Sequence, residues 1–331
     1  MSGSVETTPA APARPAAPEA PRRRPALAAD PTRVAALALL VLVAGNALFT
    51  PNFASAGNLW NVLLQVSTVV LVAIGMTFVI ATRGIDLSVG STMALAGAIV
   101  ATQLERGLLV AVPLALLGAL LVGVINGALV ARAQVQPIVV TLATLIAGRG
   151  LAQVVSRDGE LVTVAEPTFA LLGRGALGPV PAPVVVALVA FAAAAFALRA
   201  TAFGRYVLAT GGNAPAARLA GVPVVRTILT VYATSALLAG MAGLIVVARL
   251  GASDAAKIGQ NVELDAIAAA VVGGTVLTGG RATIVGTLLG ALIMQVIATS
   301  FNMLLVPYAW SLALKAAILL VAVYFQRPRR V

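Results

Sequence analysis

Long apolar stretches, separated by short breaks that often carry arginine, constrain this chain more than any other feature. About ten follow one another, at 34–49, 59–81, 87–104, 108–131, 137–155, 182–200, 227–248, 263–279, 283–305 and 309–325. A helix that crosses a membrane needs about 20 predominantly apolar residues. Only 10% of the 331 residues are charged, whereas a soluble domain carries about 25%. The sequence therefore predicts an all-α polytopic membrane protein of about ten transmembrane helices, with the lipid bilayer around it.

The absence of certain residue types limits the reactions that this chain can catalyse and the ligands that it can bind. The chain has no cysteine and no histidine, which removes thiol chemistry, the usual proton relay and the commonest metal ligand. It has neither the GxxxxGK[ST] phosphate loop nor the HExxH and GxSxG motifs. We therefore expect no enzyme activity, metal or cofactor on this chain, and any ATP to be bound by a separate subunit.

The distribution of positive charge predicts the topology. With the amino terminus inside, the inner segments hold fifteen positive charges and the outer loops hold five. The inner set is Arg14, Arg22, Arg23, Arg24, Arg33, Arg83, Arg132, Arg199, Arg205, Arg218, Arg226, Arg281, Arg327, Arg329 and Arg330, and the outer set is Arg106, Arg157, Arg174, Arg249 and Lys257. Positive loops favour the cytoplasm, which accounts for the net charge of +11 without a nucleic-acid partner. Both termini are thus predicted to be cytoplasmic.

Three regions divide the chain. Residues 1–33 are rich in alanine and proline and are expected to form a disordered cytoplasmic tail. Residues 34–326 form the transmembrane domain, and residues 327–331 form a basic cytoplasmic tail. The longest outer loop, Ser156–Pro181, carries Asp158, Glu160 and Glu166, and is either a landing surface for an extracytoplasmic protein or an ordinary solvated loop.

The segment 203–226 is a polar, basic interruption between two apolar stretches. Asn213 is placed to cap a short helix up to Ala220, and Pro215 suits its first turn. The pattern predicts a cytoplasmic docking site for another protein, although an ordinary basic connecting loop has a similar composition. The residues expected to form this coupling loop are Arg205, Gly211, Gly212 (the entry turn), Asn213, Ala216, Ala217 (the short helix), Arg218 and Gly221 (its end).

Three motifs in order resemble one family. The segment GRYVLATGGNAPAARLAGVPV within 203–226 resembles the cytoplasmic coupling loop of the ribose-type monosaccharide ABC transporter permeases. The motif GIDLSVG at 84–90 and the stretch ELDAIAAAVVGGTVLTGGRATIVGT at 263–287 support the same resemblance. The similarity covers roughly Leu59 to Phe325.

The resemblance implies a fold, a function and a set of partners. It implies the ten-span ABC importer permease fold in the bacterial cytoplasmic (inner) membrane, and a role in ATP-driven import of a ribose- or galactose-type sugar. The implied partners are an ABC ATPase subunit that docks on 203–226, an extracytoplasmic sugar-binding protein, and a second permease copy, identical or paralogous. The alternatives are an ABC permease for nucleosides or branched-chain amino acids, and a secondary transporter without partners.

The family motif also has a structural interpretation. Gly84 can end one helix, Asp86 can cap the next, and Ser88 and Gly90 lie where that helix begins. A structural elbow without ligand contact explains every one of these residues. Gly279-Gly280 is similarly expected to break the chain as a hinge.

Six polar residues within the apolar stretches are candidates for the translocation path. A buried cation in lipid is costly, so Lys315 is expected to face a cavity or an acidic partner, for which Asp265 and Glu263 are candidates. Arg149 lies late in its stretch and can either snorkel or face a cavity. The full set is Gln65, Asn126, Arg149, Gln295, Asn302 and Lys315, and interhelical hydrogen bonding is the alternative role for the four amides.

Overall fold

A computed structural model describes residues 31–325, so most of the predicted amino-terminal tail and the tail at 327–331 lie outside the described residues. The described part is predominantly helical. Its helices are α1 Pro31–Phe49, α2 Ala56–Ala81, α3 Val89–Gln103, α4 Leu108–Ala131, α5 Pro137–Val155, α6 Pro167–Arg174, α7 Ala182–Ala200, α8 Ala202–Gly212, α9 Ala214–Leu219, α10 Val224–Leu250, α11 Val262–Val272, α12 Ile284–Met303 and α13 Tyr308–Phe325.

Four two-residue strands join loops. They are β1 Val162–Thr163, β2 Ala176–Leu177, β3 Val180–Pro181 and β4 Ala252–Ser253. The β1 strand pairs antiparallel with β4, and β2 pairs with β3. The first pairing ties the long loop after α5 to the segment that follows α10.

Ten helices occupy the places of the ten predicted spans. Seven of them, namely α1, α2, α4, α5, α7, α10 and α12, are long and apolar enough to cross a membrane. The predicted span 263–279 is too long, because α11 ends at Val272 and the chain leaves the helix at Gly273. A Cβ on Gly273 would collide with the backbone of Gly286. The residues after Val272 are therefore packed tightly as a loop, and their apolar composition reflects this packing and not a helix.

The core is built from α2, α3 and α10, whereas α1, α4, α5 and α7 expose rows of leucine and valine at the periphery. Small residues let the central helices approach closely, as predicted. A Cβ on Gly75 would lie 2.8 Å from the Cα of Ser235, and one on Gly243 would collide with the backbone of Met93. Substituting either glycine would therefore push α10 away from its neighbours.

The segment 251–261 turns back into the bundle beside α3. Gly97 has Ser253 and Ile258 as neighbours, and Gly259 packs against Gly90 at the start of α3. The chain after α10 therefore descends along α3 before α11 begins, which explains how a helix of only 11 residues can take the place of a predicted span.

The bundle has two ends. The docking face is the end that carries α8, α9, the end of α2 and residues 273–283. The opposite face carries the loop 156–181. The charge distribution predicts that the docking face is cytoplasmic.

Candidate functional site

The coupling segment folds as two short helices. Thr201 accepts a hydrogen bond from the backbone N–H of Gly204 at the start of α8, and the Asn213 side chain accepts one from Ala216 N–H at 3.1 Å at the start of α9. The predicted cap at Asn213 is thereby confirmed, and Pro215 lies in the first turn of α9. Gly221 takes a left-handed φ of +82° just after the helix.

Two details of that segment differ from expectation. Gly211 and Gly212 do not form an entry turn, because they are the last residues of α8. The need for glycine at 211 is a close approach, since a Cβ there would overlap the carbonyl oxygen of Ala81. Ala217 is only 6% exposed and packs inward, whereas Ala216 is exposed and Leu219 is 92% exposed. The outward surface of α9 therefore includes Pro215, Ala216, Arg218 and Leu219, and Arg205 adds an exposed charge from α8.

Arg83 fixes the end of α2 to the end of α8. Its Nε donates a 2.6 Å hydrogen bond to the carbonyl of Gly211, and its Nη2 donates one of 2.6 Å to the carbonyl of Gly212. A cation at the carboxyl end of a helix satisfies free carbonyls and interacts favourably with the helix dipole. Gly280 N–H donates to the carbonyl of Ala81 at 2.9 Å, so the loop between α11 and α12 joins the same junction.

Arg83 also ends α2, a role expected of Gly84. Arg83 takes a φ of +67°, and the backbone N–H groups of Arg83 and Gly84 bond back to Ile80 and Val79. This is the Schellman arrangement, which usually places glycine at the left-handed position. Gly84 is required for another reason, because a Cβ there would lie 2.5 Å from the Tyr232 hydroxyl.

Asp86 is the centre of a buried polar network. It is 1% exposed, and its Oδ1 accepts hydrogen bonds from the backbone N–H of Ser88 at 3.0 Å and from Ser88 Oγ at 2.6 Å. Its Oδ2 accepts one from Ser235 Oγ of α10 at 3.2 Å. The carboxylate thus closes the turn before α3 instead of capping the helix directly, since Ser88 holds the N-cap position and α3 begins at Val89.

The network continues into α4 and α5. Asn126 Nδ2 donates to Ser88 Oγ at 2.9 Å, and Thr144 Oγ1 donates to Asn126 Oδ1 at 2.7 Å. Asn126 is 0% exposed. Of its two predicted roles, the structure shows interhelical hydrogen bonding, and GIDLSVG is an elbow pinned to three helices. Sequence reasoning missed Thr144 and Ser235, although a hydroxyl residue within an apolar helix is a weak signal of such a bond.

Arg149 holds the segment 251–261 in place. Its Nη1 donates to the carbonyls of Ala255 at 2.9 Å and Ile258 at 2.6 Å. The sequence predicts that Arg149 either snorkels to the membrane surface or faces the interior. The structure shows that its side chain faces the interior.

Lys315 of α13 forms an ion pair with Asp265 of α11. Its Nζ lies 2.8 Å from Oδ1 and 3.0 Å from Oδ2, and the two side chains are 9% and 22% exposed. The predicted acidic partner is confirmed as Asp265, and Glu263 makes no such contact. Lys315 and Arg149 thus have fixed contacts inside the bundle.

The remaining amides lie together on α2 and α12. Gln295 Nε2 lies 3.2 Å from Gln65 Oε1 and 3.3 Å from Thr299 Oγ1. Asn302 follows on the same helix and is exposed, as is Gln65. The six candidates for a translocation path therefore separate into this group of three and the three internal residues Asn126, Arg149 and Lys315.

Comparison with known proteins identifies the family. Residues 58–323 match the family described as branched-chain amino acid transport system / permease component. The chain belongs to this family. The permease is 42% identical to the ribose import permease protein RbsC of Escherichia coli K12, over 89% of this chain and 93% of that protein.

Other relatives agree with this assignment. The permease is 40% identical to the ribose import permease protein RbsC of Haemophilus influenzae, over 87% of this chain and 90% of that protein. It is 38% identical to the L-arabinose ABC transporter permease protein AraH of Azospirillum brasilense, over 89% and 87%. No solved structure matches the chain. The predicted resemblance is confirmed, and the chain is a multi-pass membrane protein of the ABC permease kind.

Proposed function

We propose that this chain is the membrane-spanning permease subunit of an ATP-driven importer for a monosaccharide of the ribose or galactose type. The main support is that the chain is 38–42% identical, over most of its length, to permeases named for ribose, L-arabinose and galactofuranose. The family name also covers branched-chain amino acid permeases, so the sugar assignment rests on these relatives.

The polar contacts favour this function over a secondary transporter. A secondary transporter needs acidic groups in the membrane that exchange a coupling ion. Asp86 is held by Ser88 and Ser235, and Asp265 is paired with Lys315. These two carboxylates have structural partners. A third, Glu263 of α11, lies beside Gly90 with its Oε2 buried and without a hydrogen-bond partner among the described residues, so the contacts of Asp86 and Asp265 are the ones that disfavour a secondary transporter.

The partners follow from the two faces. On the docking face, the exposed side of α8 and α9 presents Arg205, Ala216, Arg218 and Leu219, which suits a separate ATPase subunit that binds the ATP. On the opposite face, a cavity of about 500 Å³ between the end of α3 and the loop 156–166 is lined by polar groups that include Thr102, Glu105 and Glu160, which suits an extracytoplasmic sugar-binding protein. A second permease copy, identical or paralogous, completes the assembly.

The junction at Arg83 gives a route for coupling. A displacement of α8 by the ATPase would pull on the carbonyls that Arg83 holds, and hence on the end of α2 and on the buried turn at Asp86. Because Asp86 bonds to Ser88 before α3 and to Ser235 in α10, the movement would reach the helices at the centre of the bundle.

The function is tested by substrate uptake in cells that lack this chain but retain its partners. Radiolabelled ribose, arabinose, galactose, leucine and adenosine are supplied separately, with and without the restored chain. We expect the chain to restore uptake of at least one monosaccharide. Restored uptake of leucine or adenosine, with none of any sugar, would contradict the assignment.

A further inference from the structure

Two stripes of polar residues run along facing helices. On α2 the stripe consists of Asn58, Asn61, Gln65 and Thr68, and on α12 it consists of Gln295, Thr299 and Asn302. Spacings of three and four residues place each set on one face of its helix. Both helices are otherwise strongly apolar.

The two stripes meet where α2 contacts α12, and the polar surface along this contact is named the cleft. Helix α12 runs antiparallel to α2, because Thr77 contacts Thr287 nearer the docking face while Gln65 contacts Gln295 farther from it. With a rise of 1.5 Å per residue, Gln65 lies roughly 14 Å from the start of α2 at the opposite face. The stripes therefore extend from that face well into the membrane.

The polar groups along this contact differ in exposure. Asn61, Gln65 and Asn302 are exposed, whereas Gln295 and Thr299 are only 7% and 8% exposed. At the ends of the α2 stripe, Asn58 donates to the carbonyl of Phe53, and Thr68 donates to the carbonyl of Gln65. An exposed amide at membrane depth is costly against hydrocarbon, so the cleft requires water, a polar ligand or another polar surface.

A different side of α2 is apolar and exposed, as a surface that faces lipid would be. Leu59 and Leu63 are 47% and 41% exposed, and each lies two residues from Asn61, on nearly the opposite side of the helix. One helix thus presents leucines to lipid and amides to the cleft.

We propose that Asn61, Gln65, Gln295, Thr299 and Asn302 form a binding cleft for an uncharged, polyhydroxylated substrate. The proposal deepens the proposed function, on which it rests, by assigning the residues that contact the sugar. Amides and hydroxyls both donate and accept hydrogen bonds, which matches the hydroxyl groups of a sugar. None of the five carries a charge, so the cleft lacks the ion-pair partners that a zwitterionic amino acid requires when desolvated.

Cysteine accessibility tests the cleft directly, because the chain contains no native cysteine. Asn61→Cys, Gln65→Cys and Asn302→Cys, all at exposed positions, are compared with the matched control Leu63→Cys in the complete transporter in liposomes. A charged, membrane-impermeant thiol reagent is applied from the side of the binding protein. We expect the three cleft positions to react at least about tenfold faster than position 63, because thiolates form in water and not in hydrocarbon.

Protection by sugar tests binding. Saturating ribose-loaded binding protein should slow the labelling at position 65 severalfold and leave position 63 unchanged. Equal labelling at positions 63 and 65 would overturn the cleft, and fast labelling without protection would overturn the sugar site. If the wild-type transporter imports no sugar, the proposed function fails instead, and the labelling still shows whether the cleft is wet.

Substrate discrimination provides a second test. A site that hydrogen-bonds a hydroxyl discriminates against an analogue that lacks it. Gln295→Leu should therefore lower the uptake of ribose, relative to that of at least one of its monodeoxy analogues, by up to about tenfold, the value of one hydrogen bond. The exposed amide Gln153 on α5 gives the control Gln153→Leu, which should leave the ratio unchanged. Unchanged ratios for every monodeoxy analogue in Gln295→Leu would contradict the proposal.

Discussion

Arg83 is the residue through which the docking segment holds the membrane helices. Its two 2.6 Å hydrogen bonds to Gly211 and Gly212 are charge-assisted, and such bonds contribute about 1.5–3 kcal/mol each. Arg83→Ala should leave ATP hydrolysis in the complete transporter but lower the sugar transported per ATP about tenfold, and Arg83→Lys should restore it only in part, because lysine lacks the planar fork.

The measurement for Arg83 is the ratio of sugar uptake to phosphate release in liposomes. Arg132→Ala provides the control, since Arg132 is an exposed arginine at the carboxyl end of α4. A wild-type ratio in Arg83→Ala would show that the junction does not couple the subunits.

The ion pair of Lys315 with Asp265 is expected to stabilise the bundle. Removing one member of a buried ion pair leaves the other unpaired and typically costs about 3–5 kcal/mol. Lys315→Met should therefore lower the thermal stability of the purified protein, and the double variant Lys315→Met/Asp265→Leu should recover most of the loss. Wild-type stability in the single variant would contradict the ion pair.

These two residues differ in how far the sequence revealed their contacts. A lysine in the middle of an apolar stretch has to find a partner, and few acidic residues are near enough, so Asp265 could be predicted. Arg83 binds backbone carbonyls, which every residue possesses, and no pattern of side chains could indicate Gly211 and Gly212. The path candidate Asn126 was equally ambiguous, because its bond to Ser88 depends on how three helices cross.

At the scale of the element, α9 is the structure to test as a docking site. Leu219 is 92% exposed on a helix of six residues. Leu219→Glu should weaken co-purification of the ATPase, because a buried contact would then desolvate a charge, while Leu219→Met should retain it. Ala217→Glu is unsuitable, because Ala217 is buried within the permease itself.

The elements themselves were largely predictable. Apolar length set the helices, and the predicted bounds 108–131, 137–155 and 182–200 coincide with α4, α5 and α7. The predicted span 263–279 is wrong in its second half, because residues 273–279 are packed as a loop. High hydropathy indicates that a segment is buried, but it does not show that the segment is helical. The turning back of 251–261 beside α3 depends on carbonyls that Arg149 holds, so it had no signature in the sequence.

At the scale of the whole molecule, the topology can be read with the same cysteine-free background. Ala216→Cys on the docking face should resist an impermeant thiol reagent in intact cells, and Asp158→Cys on the opposite face should react, because positive loops favour the cytoplasm. Both positions are exposed, so the side of the membrane on which each lies decides whether it is labelled. Labelling of Ala216→Cys with protection of Asp158→Cys would invert the orientation.

ATP-driven accumulation of sugar tests the central claim most directly. The permease is reconstituted in liposomes with its ATPase and binding protein, and labelled ribose, arabinose and galactose are supplied one at a time on the side of the binding protein. The account predicts that at least one sugar accumulates against its gradient only when ATP and all three components are present. Accumulation by the permease alone under an ion gradient, or ATP hydrolysis without accumulation of any sugar, would contradict it.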